Sequence, residues 1–80
     1  MEILLHNRTD DVIEVVLEPI GDIIRIEPGQ HAIVKYDVKC GNPRIDLHHN
    51  NHINVWIEGD VIVELGGKSM RFDDFTKSKF

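Results

Sequence analysis

Apolar residues recur at every second position along this chain, in short runs separated by turn residues. The alternation predicts strands over Glu2–His6, Val12–Leu17, Asp22–Ile26, Ala32–Val38, Arg44–His48, His52–Ile57, Val61–Leu65 and Lys68–Phe72. The separators are "NRTDD", "EPIG", "EPGQ", "KCGNP", "HNN", "EGD" and "GG". Each contains Gly, Pro, Asn or Asp, the residues that tolerate or impose turn dihedrals. No stretch sustains a helical period. The pattern predicts an all-β fold, an antiparallel β-sandwich or flattened barrel of about eight short strands. Residues 1–72 form the single β domain of this reading, and 73–80 a C-terminal tail.

Opposed residues of an antiparallel pair point to the same side, so parity constrains the hairpin registers. A three-residue loop, His49-Asn50-Asn51, sets Leu47 opposite Ile53 and Ile45 opposite Val55, with Asn51 able to supply a left-handed residue. The same reasoning at "EGD" sets Ile57 opposite Val61 and Val55 opposite Val63. A two-residue turn at Gly66-Gly67 sets Val63 opposite Met70 and Val61 opposite Phe72. The last four strands then read as one meander with an apolar side. The predicted core is Leu5, Ile13, Val15, Leu17, Ile24, Ile26, Val34, Tyr36, Ile45, Leu47, Ile53, Val55, Ile57, Val61, Val63, Met70 and Phe72.

The reverse side of that meander reads, row by row, Arg44, Trp56, Ile62, Arg71, then Asp46, Asn54, Glu64, Ser69, then His48, His52. The first row puts the single tryptophan beside an isoleucine on a face that should be solvated, with an arginine at each end. Arginine stacked on an exposed indole contributes about 0.5–1 kcal/mol, and both residue types are enriched at the energetic centres of interfaces. Arg44, Trp56, Ile62 and Arg71 are therefore the candidate partner-binding residues. The bland alternative is that Trp56 is covered by the chain itself, by the tail with Phe75 and Phe80 or by a second sheet.

The chain has 80 residues and a hydrophobic share of 41%, enough for one small folded domain. Its formal charge of −5 argues against nucleic acid and anionic lipid as partners, and favours a basic protein. The single cysteine, Cys40, cannot form an internal disulfide and reads as a small turn residue rather than a reactive thiol. The opening "MEILLHN" lacks the pattern of a signal peptide, and no apolar run reaches the roughly 20 residues of a membrane span. The expected setting is a reducing one, the cytoplasm.

Three histidines crowd residues 48 to 52. His48 and His52 should face each other across a hairpin at a Cβ separation of about 5 Å. Asp46 lies on the same face, so His48, His52 and Asp46 are a candidate metal set with an open position. The bland reading is a turn rich in histidine and asparagine, exposed and without supporting groups. No other chemistry stands out. Ser69 and Ser78 lack a base and an oxyanion hole. No pair of carboxylates is marked out, and "GGK" lacks the remainder of a phosphate loop.

The segment "NRTDDVIEVVLEPIGDIIRIEPGQ", residues 7 to 30, resembles a pattern of small uncharacterised bacterial all-β proteins, through Asn7, Arg8, Thr9, Leu17, Glu18, Pro19, Gly21, Pro28 and Gly29. Ile20 stands where such chains often carry tryptophan. The resemblance covers about a third of the chain and implies a fold, not an activity. A fainter resemblance, in "IEPGQHAIVKYD" followed by "INVWIEGDVIVELGGK", is to cupin topology. The cupin histidine cluster is missing, since His31 stands alone there. The expectation is a non-enzymatic protein-binding module without a cofactor, of the kind in which an inhibitor or immunity protein caps a basic partner. A homodimer paired through open strand edges is a related expectation. The alternative is a metal-binding or metal-sensing protein using the histidine pair.

Overall fold

The computed structural model describes residues 1–37 and 41–72. Among these residues there are eight strands: β1 (Glu2–His6), β2 (Ile13–Glu18), β3 (Asp22–Ile26), β4 (His31–Tyr36), β5 (Arg44–His48), β6 (His52–Trp56), β7 (Val61–Leu65) and β8 (Lys68–Phe72). They form two four-stranded sheets, ordered β1-β4-β7-β8 (sheet A) and β3-β2-β6-β5 (sheet B). The fold is all-β and sandwich-like, as the alternation predicts. Among the described residues no helix is long and apolar enough to cross a membrane.

The core lies between the sheets. Val15, Leu17, Ile24, Ile26 and Val55 enter it from sheet B, and Ala32, Val34, Val61 and Val63 from sheet A. Ile57 joins from the β6–β7 connection and Ile20 from the β2–β3 turn, and both are buried. Leu5, Ile13, Tyr36, Ile53, Met70 and Phe72 pack partly buried against this cluster. Alternate residues point outward, as the period of two requires. Ile45 and Leu47, placed in the core by parity alone, are instead 43% and 79% exposed. They face the inner side of sheet B, but β5 is its edge strand and among the described strands has β6 alone beside it.

Two of the three predicted hairpins form in the predicted register. Leu47 pairs with Ile53 and Ile45 with Val55 across the β5–β6 loop. Both Asn50 and Asn51 take left-handed φ there, at 61° and 58°, a conformation asparagine tolerates better than other non-glycine residues. Val63 pairs with Met70 and Val61 with Phe72 across Gly66-Gly67. The third hairpin does not form. β6 and β7 lie in different sheets, and residues 57–60 carry the chain across the sandwich. β6 pairs instead with β2, parallel, with Val15 beside Ile53 and Leu17 beside Val55. Backbone bonds Glu14 N to Asn51 O (3.0 Å) and Ile57 N to Glu18 O (2.8 Å) extend that ladder at both ends. The four-strand meander is thereby replaced by two two-stranded hairpins, one in each sheet.

Asn7 fastens the sheets together at one end. It is 1% exposed, the one buried polar side chain among the described residues. Its Nδ2 donates to the carbonyls of Asp11 (2.7 Å) and Ile26 (2.8 Å). Its Oδ1 accepts from the backbone N–H (2.9 Å) and the hydroxyl (2.7 Å) of Thr9. Its own backbone is held by Gln30 O and Gly29 N. The loop from sheet A to β2 is thus tied to the end of β3 and to the loop that returns to sheet A.

Candidate functional site

The strand registers fix the outer face of sheet B. One row reads Arg25, Glu14, His52, His48; the next Ile23, Val16, Asn54, Asp46; and the third ends in Glu18, Trp56, Arg44. Trp56 sits on β6 beneath Arg44 of the edge strand, half-buried, with the Arg44 Cζ 5.4 Å from its ring centroid. Arg44 Nε also donates to Asp46 Oδ2 at 3.1 Å, which orients the guanidinium over the indole. Ile23, 57% exposed, and the half-buried Val16 add apolar surface on the opposite flank. Between them His52 Nε2 and Asn54 Oδ1 are shielded and have no hydrogen-bond partner among the described residues.

Of the predicted partner-binding set, the structure brings Arg44 and Trp56 together and places Ile62 and Arg71 elsewhere. Ile62 and Arg71 pair with each other on the outer face of sheet A. The expected four-residue row is corrected to two pairs on opposite faces, because β6 and β7 belong to different sheets. Arg71 Nη2 donates to Asp60 Oδ2 at 2.9 Å, and both Ile62 and Arg71 line an open groove of about 410 Å³ beside Met1, Lys35 and Tyr36. Next to it Lys35 Nζ donates to Glu64 Oε2 at 3.0 Å. That hydrogen bond, with the Glu64 charge behind it, holds the Lys35 ammonium above its ordinary pKa of 10.5, against a small opposing effect of desolvation.

The histidine pair forms as predicted in geometry. His48 and His52 are register partners with ring centroids 5.3 Å apart. Asp46 does not complete a ligand set with them. Its carboxylate is on Arg44, and among the described residues no group of three or more His, Cys, Asp or Glu side chains is placed to hold a metal. A second cross-strand pair escaped the sequence reading: His6 and His31 meet edge to face at 6.0 Å on sheet A. The registers put this pair and the His48–His52 pair at the same, Asn7, end of the sandwich, on opposite sheets. The tail with Phe75 and Phe80, and Cys40, lie outside the described residues. Comparison of the chain with protein-family models, curated proteins and solved structures finds no significant match.

Proposed function

We propose that this chain is a non-enzymatic protein-binding module whose contact surface is the outer face of sheet B around Trp56. The observation that carries the reading is the Arg44 guanidinium lying over Trp56, 5.4 Å from the ring centroid, at a half-buried, outward-facing strand position. An indole and a guanidinium held in one orientation offer a large contact area at small ordering cost. Exposed Ile23 widens the apolar part of the patch. The net charge of −5 favours a basic partner, of the kind an inhibitor or immunity-type protein caps in a reducing, cytoplasmic setting.

Capture from native lysate tests this with wild type, Trp56→Ala and Arg44→Ala in parallel. The expected result is one partner retained by the wild type, weakened by added salt, and lost from both variants. Equal retention by all three would refute it. The 5.3 Å His48–His52 pair supports a second reading, binding of a divalent metal through two imidazoles. Zinc titration followed by histidine NMR separates the two readings, since saturable shifts of His48 and His52 belong only to the metal.

A further inference from the structure

The outward Trp56 surface is not the only unpartnered part of sheet B. Its β5 edge carries Leu47, the most exposed large apolar residue among those described at 79%, and Ile45 at 43%. Both face the core side of the sheet, and no described strand covers them. Strand edges are commonly blunted by charged side chains, lysine above all, by proline, by a bulge or by shortness. β5 has no lysine, proline or bulge within Arg44–His48, though it is short, carries Arg44 and Asp46, and follows Pro43 directly. Its outward side chains are Arg44, Asp46 and His48, of mixed charge.

We infer that β5 pairs antiparallel with β5 of a second copy of this chain across a two-fold axis, with Ile45 opposite Ile45 of the partner. Parity allows few registers. Centring on Asp46 would put two carboxylates face to face, which is unfavourable. Centring on Leu47 would run the ladder into Asn50, whose φ of 61° is not extended. Centring on Ile45 sets Arg44 opposite the partner's Asp46 twice, and Leu47 beside the partner's Pro43 on the apolar side, where the Leu47 N–H can donate to the Pro43 carbonyl but Pro43 has no N–H to return. Opposite charges meet on the outer side and apolar residues on the inner side, a self-complementary arrangement of the kind an isologous interface needs. The sheets join into one of eight strands, β3-β2-β6-β5 followed by its two-fold image. Both Trp56 surfaces then lie on one continuous face. The pairing uses the edge of β5 and does not rest on the binding role proposed for Trp56.

Sedimentation of the full chain over about 1 to 200 µM tests the pairing, because such a dimer must dissociate on dilution. The expected result is a monomer–dimer equilibrium in the wild type, unchanged in Trp56→Ala. Leu47→Asp should raise the dissociation constant at least about tenfold; the residue is exposed, and circular dichroism confirms that the variant folds. Arg44→Glu should weaken the dimer by a similar factor, and adding Asp46→Arg should restore it, since the double exchange rebuilds both cross-copy ion pairs. A wild type that stays monomeric throughout would overturn the inference. So would a dimer indifferent to Leu47→Asp, or one that the charge exchange fails to rescue.

Discussion

Replacing Asn7 with alanine should cost this domain about 3 kcal/mol, more than any exposed substitution. Asn7 makes four side-chain hydrogen bonds, two donated by Nδ2 and two accepted by Oδ1. The bond to the Ile26 carbonyl is buried, so its loss strands an acceptor away from water, at about 1–3 kcal/mol. The Asp11 and Thr9 groups are part-buried and regain water, so each lost bond there costs roughly 0.5 kcal/mol. Per-residue stability implies only about 4–12 kcal/mol for the whole domain. Urea unfolding followed by Trp56 fluorescence and far-UV circular dichroism reads the difference. With a slope of about 1 kcal/mol per molar, the midpoint should fall by about 3 M. Asn7→Asp keeps the volume but turns a carboxylate oxygen toward two carbonyls, so at neutral pH it should destabilise at least as much as alanine. A loss below about 1 kcal/mol for Asn7→Ala, or a well-tolerated Asn7→Asp, would refute the role assigned to these bonds.

Truncations on β6 and β5 should separate burial from parity. Val55→Ala, at a fully buried site, should cost about 2–3 kcal/mol in the same assay, whereas Leu47→Ala in the dilute monomer should stay within about 0.5 kcal/mol. Equal costs would mean that β5 is covered in solution. The Lys35–Glu64 pair gives a pH dependence of definite sign. Because Glu64 raises the folded-state pKa of Lys35, its stabilisation is complete below the ordinary lysine range and is lost as pH rises through the raised value. The Lys35 Cε resonance should therefore titrate at higher pH in the wild type than in Glu64→Gln, and coincident curves would contradict the pairing.

The strand positions and two hairpin registers are legible in the sequence because parity and loop length together leave few choices. Leu47 opposite Ile53 and Val63 opposite Met70 follow from that alone. The β6–β7 connection is not legible, for a physical reason. Whether a chain turns within a sheet or crosses to the facing one, its inward residues still meet the core. Ile57 and Val61 are buried in either case, so alternation cannot tell a hairpin from a crossing. The parallel β2–β6 ladder joins residues far apart in sequence and leaves no local signal. Coverage is equally invisible: parity turns Ile45 and Leu47 inward, but only the strand order shows that they lie at an edge. Ile20 and Asn7 were hidden in stretches read as turns, where one side chain fills the core and the other ties loops together. Of the candidate surface, the Arg44–Trp56 contact needed only the β5–β6 hairpin and was legible. Its separation from Ile62 and Arg71 needed the strand order.

The central claim is that β6 lies beside β2 and not beside β7, which is what separates the Arg44–Trp56 pair from Ile62 and Arg71. Cross-strand nuclear Overhauser contacts among backbone protons of the labelled full chain test it directly. The account predicts contacts linking Val15 with Ile53 and Leu17 with Val55, in the pattern of parallel strands. An antiparallel ladder joining Val55 to Val63 and Ile57 to Val61 would contradict it.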